Sequence, residues 1–462
     1  MNFEKLFYPE NIAIIGASPN LSGGKLPYFQ VLRDNNFKGK LYPVNPAHEF
    51  IDGTKVYSDI SEIDKLIDLA IITAPLNQAE YALKSCVKNK IPFVHFFTSG
   101  FAEMRNYVLE ASLMKIIENT ETRIVGPNCL GVLCAESNLT FSFKLRQEKP
   151  GSVGFIGQSG GVTDNFISLC GSKLIGLNKV VSYGNQIDLK VEDYLAYFAE
   201  DKGVKVIAAY VEDIKNGREF IRVVKNLASS KPTIILKGGS TLPGASAAAS
   251  HTGALAVPHQ LFSSLLRQTG CIEADSFEEL LDITMLATTT KLPKGIEAGF
   301  VGGGGGNSVT SVDLAAKSGI KFPPLKPSTQ QKIQSTITKV NTSTKNPVDL
   351  GALGFDMEVV MQALKSLDQD ESINIIIADF TIGMLPHMPE LKFQKVAEVL
   401  ADLEKPVFPI VWKVTEHVPE HEIARLEFLR AFRSAGLPVF QNIKNASVAI
   451  QKFVSWRNRF QY

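Results

Sequence analysis

The sequence has few cysteines, no long hydrophobic run and almost no excess charge. Its five cysteines are an odd number and form no CxxC pair, which argues against a disulfide framework or a thiolate zinc site. Its longest apolar runs have the length of a strand, well short of the roughly 18 residues that span a bilayer. A net charge of +1 over 462 residues, without any basic stripe, gives no reason to expect nucleic acid or an anionic membrane as a partner.

The N-terminal residues also lack the features of a targeting segment. They run directly into an apolar strand, without a charged n-region, an apolar h-region or a small-residue cleavage site. Together with the unpaired cysteines, this predicts a cytoplasmic protein.

Short apolar runs alternate with amphipathic stretches of helix length along the chain. This alternation is typical of parallel sheets with crossover helices. We therefore predict an α/β protein of three doubly wound domains, a Rossmann-like domain over residues 1–130 and two flavodoxin-like domains over 131–293 and 294–462. The predicted strands are 12–15, 40–44, 69–73, 93–98, 123–125, 153–156, 179–182, 204–211, 233–237, 373–379, 407–412 and 439–440.

The loop after the first strand, Gly16–Ser18, has a partial nucleotide-binding pattern. A glycine here lets the backbone approach phosphate groups, which the following helix N-terminus stabilises. The full GxGxxG pattern is absent, and the second strand ends in Asn45–Pro46 instead of the carboxylate that binds ribose in NAD-binding domains. This favours a ligand with a phosphorylated ribose, such as CoA, although Glu49 and Asp52 follow closely. A degenerate site without a ligand is the alternative.

Two further loops, Ala74–Pro75 and Thr98–Gly100, follow predicted strands of the same domain. Ligands of open α/β sheets lie across the carboxyl ends of the strands, so we expect both loops in the same cleft. The tight turn Gly126–Gly131 leaves the domain and contains Cys129. We expect this cysteine to be structural, with a nucleophilic role as the alternative.

The second domain opens with a strand, a glycine-rich turn and a helix, in the sequence GFIGQSGGV. Its turn consists of Gln158, Ser159, Gly160 and Gly161. Free N–H groups of a first helical turn point at an anion, and the absence of a P-loop lysine disfavours a nucleoside triphosphate. The turn therefore predicts a site for phosphate or a phosphoryl group in transit, with a simple tight turn as the alternative.

A single histidine, His251, lies in the small-residue segment Gly244–Leu255. We expect this segment to form a close-fitting loop that presents the imidazole, whereas an isolated histidine elsewhere is usually a surface or core residue. An imidazole with a pKa near 6.5 is neutral at physiological pH and can accept a phosphoryl group. Its other ring nitrogen then needs an acceptor, for which Glu212 and Asp213, at the end of a predicted strand, are the two candidates.

With these motifs in place, the chain resembles the α subunit of ADP-forming acyl-CoA (acetyl-CoA) synthetases and, more distantly, that of succinyl-CoA synthetase. The resemblance covers essentially the whole chain. It rests on the segments IAIIGAS, YPVNP, TSGFAE, GPNCLG, GFIGQSGG, SYGNQID, AAASHTGALA and NPVDL. The histidine segment, GPNCLG and QSGG form a highly specific combination.

The resemblance implies an enzyme that interconverts acyl-CoA, phosphate and ADP with a carboxylic acid, CoA and ATP through an acyl phosphate and a phosphohistidine. His251 would carry the phosphoryl group and Glu212 would stabilise it. Gln158, Ser159, Gly160 and Gly161 would hold phosphate. The CoA site would be lined by Gly16, Ala17, Ser18, Asn45, Pro46, Ala74, Pro75, Thr98, Ser99 and Gly100.

The resemblance also implies a partner. The sequence contains no evident ATP-grasp module and no acetyltransferase module, and we expect no metal site in this chain. ATP or ADP (or GTP or GDP), with Mg²⁺, would bind an ATP-grasp β subunit in a heterodimer or heterotetramer. The motifs do not specify the acyl group. CoA is the ligand that we expect this chain to bind.

The chain departs from the family pattern at three places. Ala47–His48 follow YPVNP where relatives often have a lysine near the CoA phosphates, and Gly244–Ser246 lack the basic residue common before the histidine. The glycine run Gly302–Gly306 is richer than expected and is either a phosphate site or a hinge. The competing functions are a CoA-binding sensor without turnover, disfavoured by His251 and Glu212, and an NAD-linked oxidoreductase, disfavoured by the incomplete glycine pattern.

Overall fold

The computed structural model describes residues 2–19, 26–143, 149–252, 258–337, 340–380, 393–412 and 418–460, with the backbone alone for 248–252. The chain divides into two compact units, Met1–Asp275 and Ser276–Tyr462. The first unit contains two sheets and a small hairpin, and the second contains one sheet. The predicted α/β class is confirmed.

The first sheet is parallel and has the strand order β2-β1-β5-β6-β7. Its strands and the hairpin β3–β4 are Asn11–Ile15, Lys40–Val44, Phe50–Ile51, Thr54–Lys55, Leu69–Ile72, Phe93–Phe96 and Arg123–Val125, numbered β1 to β7. Helices α1 to α4 are Glu4–Phe7, Tyr28–Asp34, Ala79–Lys88 and Tyr107–Ile117, with 3-10 turns at Ile60–Glu62, Leu76–Gln78 and Ala102–Met104. Because the chain passes to opposite sides of β1, the loops after β1 and β5 meet at a topological switch point.

The second sheet has the strand order β13-β12-β11-β9-β10-β8, and only β8 is antiparallel to its neighbour. Strands β8 to β13 are Gly131–Cys134, Val153–Gly157, Leu177–Ser182, Val206–Val211, Thr233–Lys237 and Ile272–Ala274. Helices α5 to α9 are Gly160–Ser172, Val191–Glu200, Gly217–Ala228, Leu242–Thr252 and His259–Thr269. The switch point of this sheet lies between β9 and β11.

The third sheet, in the second unit, is parallel with the order β15-β14-β16-β17. Its strands β14 to β17 are Ala298–Gly302, Val348–Asp349, Ile375–Phe380 and Val407–Val411. Helices α10 to α16 are Phe277–Ala287, Gly305–Lys317, Pro327–Gln334, Met357–Asp368, Phe393–Asp402, Pro419–Ser434 and Ile443–Phe460, with a 3-10 turn at Gly351–Phe355. The glycine run forms the turn from β14 into α11, where the Gly304 N–H donates to Asp349 Oδ1 at 3.1 Å.

The structure corrects two of the predicted elements and adds six strands that were not predicted, β3, β4, β8, β13, β14 and β15. The segment expected to be a loop is the helix α8 as far as Thr252, since alanine has the highest intrinsic helix propensity. Residues 439–440 form only an isolated bridge between Phe440 and Ile410. Strand β8 was missed because its four residues directly follow a turn. The predicted boundaries at residues 130 and 293 stay predictions, because the two compact units are a coarser division.

Among the described helices, none combines the length and the apolar character that a bilayer crossing requires. Packing instead fixes the helices onto the sheets. The rings of Phe155 on β9 and Phe166 on α5 are both buried and stack with their centroids 3.9 Å apart. This contact holds the N-terminus of α5 at the carboxyl end of β9.

A buried ionic network joins the N-terminal segment to the second sheet. The Lys179 side chain is fully buried, and its Nζ lies 2.7 Å from Asp201 Oδ2 and 2.8 Å from the Tyr8 hydroxyl. The Tyr8 hydroxyl in turn donates to the Glu136 carboxylate, which also accepts from Asn178 Nδ2 at 3.1 Å. Removing one member of such a network leaves an uncompensated buried charge.

We expect Lys179→Ala to lower the free energy of unfolding by about 3–5 kcal/mol, because Asp201 loses its buried counter-ion. Urea denaturation of the full chain measures this change. The matched control is Lys205→Ala, which removes an exposed lysine from the neighbouring segment and should change stability by less than about 0.5 kcal/mol. Equal stabilities of the two variants would contradict the role of the network.

Candidate functional site

A cavity of about 460 Å³ lies in the first unit and joins the two switch points. Its lining is formed by Thr73, Ala74, Pro75, Phe97, Thr98, Ser99, Asn128, Cys129, Leu130, Gln158, Ser159, Gly160, Gly161, Gly184, Asn185 and Glu212. The loops after β5 and β6 supply one wall, and the loops after β9 and β11 supply the other. Of the sixteen residues predicted for the site, nine line this cavity.

The loops that were predicted to line the CoA site are in close contact with one another. The Thr98 hydroxyl donates to the Ala74 carbonyl at 2.7 Å. Gly16 has a φ of +90°, and a Cβ at this position would lie 2.6 Å from the Ala74 nitrogen, so only glycine allows β1 and β5 to end this close together. The predicted loops therefore meet as one surface.

Several predicted CoA residues lie outside the cavity lining. These are Gly16, Ala17, Ser18, Asn45, Pro46 and Gly100. The Asn45 amide donates to the Ala17 carbonyl at 2.7 Å, and its Oδ1 accepts from the Ala47 N–H at 3.0 Å, so this side chain fixes the loop after β1. The Gly100 N–H donates to Glu103 Oε1 at 2.6 Å. In this structure, Asn45 and Gly100 thus order the loops around the cavity.

The N-terminus of α5 opens into the opposite wall. Ser159 is its N-cap, and its hydroxyl accepts from the Val162 N–H at 3.4 Å. A Cβ at Gly161 would meet no atom within 4 Å, so the first turn faces open space. Among the described lining residues there is no lysine or arginine, and an anion here would be held by backbone N–H groups and the helix dipole.

Gln158 connects the α5 turn to Glu212. Its Oε1 accepts hydrogen bonds from the Glu212 N–H at 2.9 Å, from the Asp213 N–H at 3.0 Å and from the Tyr183 hydroxyl at 3.2 Å. Gln158 and Glu212 are only 4% and 7% exposed. The Gln158 side-chain oxygen thus fixes the strand end that carries Glu212, whereas sequence reasoning had assigned this residue to phosphate.

The two candidate carboxylates have different surroundings. Asp213 Oδ2 forms an ion pair with Lys215 Nζ at 2.7 Å. Glu212 lines the cavity, and its side chain accepts a hydrogen bond from the Tyr210 hydroxyl. The geometry thus places Glu212, and not Asp213, at the surface a ligand would reach.

His251 lies one residue before the end of α8, and its side chain is outside the described residues. The helix follows β12 through Gly238 and Gly239, and Gly239 has a φ of +71°. A Cβ at Gly238 would lie 3.0 Å from Glu212 Cγ, so the connection into α8 passes directly over Glu212. The connection that leads into the histidine-bearing helix therefore begins beside the predicted carboxylate.

The cavity also contains residues that sequence reasoning did not assign to the site. These are Thr73, Phe97, Asn128, Cys129, Leu130, Gly184 and Asn185. The segments GPNCLG and SYGNQID supply five of them, and the pairing of Asn128 with Asn185 would have been visible only from the fold. Burial raises the pKa of the Cys129 thiol to about 12, which is unfavourable for a nucleophile.

Asn185 links the two walls of the cavity through hydrogen bonds. Its Nδ2 donates to Glu103 Oε2 at 2.6 Å and to Glu110 Oε1 at 2.8 Å. Both carboxylates also accept from backbone N–H groups of the loop after β6, including Gly100 and Ala102. The cavity is therefore held by hydrogen bonds across the interface between the first and second sheets.

Two family models match the chain. One is described as a CoA binding domain and matches residues 10–135, and the other as a succinyl-CoA ligase like flavodoxin domain and matches residues 150–287. These ranges contain the first and second sheets, apart from a few residues, and all of the cavity residues.

Curated relatives match most of the chain. The "acetate–CoA ligase [ADP-forming] II subunit alpha" of Pyrococcus furiosus is 35% identical over 386 residues, which are 82% of this chain and 83% of the relative. The "acetate–CoA ligase [ADP-forming]" of Methanocaldococcus jannaschii is 35% identical over 343 residues, which are 74% of this chain. The chain matches 48% of the length of the latter.

A solved structure matches both units. It is a "dinucleotide forming acetyl-coenzyme A synthetase 1" from Ca. Korarchaeum cryptofilum in complex with phosphate and ADP. It is 29% identical, has a TM-score of 0.86, and the match covers 100% of this chain and 98% of that chain. The matches across both units and the 35% identity over most of the Pyrococcus subunit show that this chain belongs to the family of ADP-forming acetate–CoA ligases.

Proposed function

We propose that this chain is the CoA-binding, phosphohistidine-carrying part of an NDP-forming acyl-CoA synthetase. The observation that carries the proposal is the cavity in which the loops of the CoA-binding sheet, the N-terminus of α5 and Glu212 meet. An acyl thioester, a phosphate anion and a carboxylate-supported imidazole are the three groups that the reaction brings together. Membership of the family supports the same assignment.

The proposed reaction has three steps. Phosphate attacks the acyl carbonyl carbon, the C–S bond breaks, and CoA leaves as the thiolate, so that an acyl phosphate forms. A His251 ring nitrogen then attacks phosphorus, the bond between phosphorus and the acyl oxygen breaks, and the carboxylate leaves. Finally ADP or GDP takes the phosphoryl group from His251 to give ATP or GTP, and each step is reversible.

This chain's own groups would support these steps by position and charge. The first-turn N–H groups Gly160 and Gly161 would bind phosphate and the transferring phosphoryl group without a cationic side chain. The Glu212 carboxylate would accept the second ring N–H of His251, fixing the tautomer and stabilising the positive charge of the phosphorylated ring. The loops with Ala74–Pro75 and Thr98–Ser99 would hold the end of CoA that carries the thiol.

The nucleotide half is proposed to lie on a partner, an ATP-grasp β subunit in a heterodimer or heterotetramer that binds the nucleotide with Mg²⁺. The subunit designation of the Pyrococcus relative supports a multi-subunit enzyme. The Methanocaldococcus relative has about twice the matched length, which is consistent with an additional module on one chain. We place the enzyme in the cytoplasm, where the five cysteines, all buried and none in a disulfide, stay reduced.

The proposal is tested by incubating the full chain with [³²P]phosphate and an acyl-CoA panel of acetyl-, branched-chain and aryl-CoA. We expect an acid-labile, base-stable label on this chain that is absent from His251→Ala, while CoA binding measured by calorimetry is unchanged. The matched control is His259→Ala, because His259 lies near in sequence on α9 and pairs with Glu273. Label on the His251→Ala chain would contradict the relay, and CoA binding without any label on the wild type would leave a CoA-binding module without turnover.

Glu212→Gln should lower the amount of phosphoenzyme by roughly 10- to 150-fold, the range that corresponds to one hydrogen bond to a charged group. The charge that stabilises the phosphorylated ring is then lost, whereas the shape of the side chain is kept. Quantitative ³²P labelling at equilibrium measures the change. A glutamine variant that labels like the wild type would exclude Glu212 as the partner of His251.

Gln158→Ala should lower phosphoenzyme formation by roughly 10-fold and the free energy of unfolding by about 1–3 kcal/mol, because two buried N–H groups lose their acceptor. Labelling and urea denaturation measure the two effects. Gln260→Ala, which removes an exposed glutamine from α9, is the control and should change neither. Full labelling by the Gln158→Ala chain would show that Glu212 is held in place without it.

A further inference from the structure

Tyr210 is a half-buried neighbour of the cavity residue Glu212. It is the next-to-last residue of β11, two positions before Glu212. Residues two apart on extended chain lie on the same side, and the Tyr210 hydroxyl forms a hydrogen bond with the Glu212 carboxylate. Glu212 lines the cavity, whereas Tyr210 is not one of the described residues that line it. The phenol therefore contacts the carboxylate of a residue that lines the cavity, without lining the cavity itself.

The same phenol touches the connection into α8. A Cβ placed on Gly238 would lie 2.5 Å from the Tyr210 hydroxyl oxygen and 3.0 Å from Glu212 Cγ. Gly238 is the first residue after β12, and its N–H donates to the Val211 carbonyl at 2.9 Å. Tyr210 and Glu212 thus form a single surface on which the connection to the histidine-bearing helix rests.

Other groups fix the backbone of Glu212 and Gly238. Lys237 is only 4% exposed, and its Nζ donates to the Glu212 carbonyl at 2.9 Å and to the Gly238 carbonyl. Gln158 Oε1 accepts the Glu212 N–H. These contacts position the Glu212 main chain, and the Tyr210 hydroxyl contacts the carboxylate itself.

We propose that Tyr210 is a positioning residue for the phosphoryl relay, whose hydroxyl donates to the Glu212 carboxylate, keeps it ionised and aims it into the cavity for the arriving His251 ring. This inference rests on the proposed function and adds a residue to it. A hydrogen bond to the charged form of a carboxylate favours that form. Burial, and then the neighbouring Glu212, raise the pKa of Tyr210, so the phenol keeps its proton as a donor.

Other charged and titratable groups face Glu212. Asp213 follows it and is paired with Lys215, Lys237 approaches from β12, and Tyr183 approaches from the loop after β10. Burial lowers the pKa of Lys237, and both acidic neighbours oppose this effect. All of these groups stay in place when only the Tyr210 hydroxyl is removed, so a difference between wild type and Tyr210→Phe reports on that hydroxyl.

The test is [³²P]phosphate labelling from acyl-CoA by the full chain, measured from pH 4.5 to 8 for the wild type and for Tyr210→Phe. On the acid side, label is lost as His251 and Glu212 take up protons, and without the phenol donor Glu212 takes up its proton at higher pH. We expect the acid midpoint to rise by about one pH unit and the plateau to fall roughly 10-fold. The control is Tyr197→Phe, in which a phenol that contacts Glu4 at 3.4 Å is removed and neither value should change.

A double variant separates positioning from packing. If Tyr210 acts through Glu212, adding Tyr210→Phe to Glu212→Gln should cause little further loss of label. An unmoved acid midpoint, or an equal loss of label in both backgrounds, would overturn the inference. If Tyr210→Phe does not fold, 3-fluorotyrosine at position 210 keeps the ring and hydroxyl, and its stronger donor should move the midpoint to lower pH.

Failure of this inference is distinguishable from failure of the proposed function. Label that survives in His251→Ala contradicts the relay itself, whatever Tyr210 does. Label that is lost in His251→Ala, with an unchanged pH profile in Tyr210→Phe, leaves the relay intact and removes Tyr210 from it.

Discussion

The site depends on one hydrogen-bonded junction, in which Gln158 Oε1 accepts hydrogen bonds from two adjacent backbone N–H groups. This oxygen belongs to the end of β9, whereas the N–H groups of Glu212 and Asp213 follow β11. The two strands are neighbours in the sheet, and the chain reverses its winding between them. A carboxylate and an anion-binding helix N-terminus are thereby placed side by side. The junction acts together with the pairing of β9 and β11 and with the Lys237 hydrogen bond to the Glu212 carbonyl.

The charge balance of the cavity follows from this arrangement. Among its described lining residues, Glu212 is the one that carries a charge, and an anion would be stabilised by the α5 dipole and N–H groups. Backbone donors are fixed in space and do not titrate, so phosphate could be bound without a salt bridge that must break when the phosphoryl group leaves. Under the proposed function, the buried Glu212 carboxylate would offset the positive charge that the His251 ring gains on phosphorylation.

The small-residue helix α8 differs in packing from the connection that precedes it. Its described residues from Leu242 to Ala247 are half-buried or exposed, and it is joined to β12 through two glycines. By contrast, the connection itself contacts Tyr210 and Glu212, and Lys237 Nζ donates to the carbonyls of Glu212 and Gly238. Under the proposed function, this fixed connection would anchor the helix that carries His251.

Much of the candidate site was predictable because its signals are local. A glycine-rich turn between strand and helix, as at Gln158–Gly161, is read from neighbouring residues, and so is the histidine among alanines and serines. The prediction of a loop at α8 was wrong, because it considered the small size of the residues and not the high helix propensity of alanine. Local reasoning also gave no role to Asn185, whose partners Glu103 and Glu110 are far away in the sequence.

Hydrophobic periodicity and turn chemistry act over a few residues, so the α/β class, most strands and the residue types suited to phosphate could be predicted from the amino-acid sequence. The strand order, and with it the set of loops that share a cavity, became visible in the folded chain. The fold also shows that Gln158 holds a strand end and that Glu212 and not Asp213 faces the cavity. Strand order depends on packing between segments tens of residues apart, which no local pattern encodes.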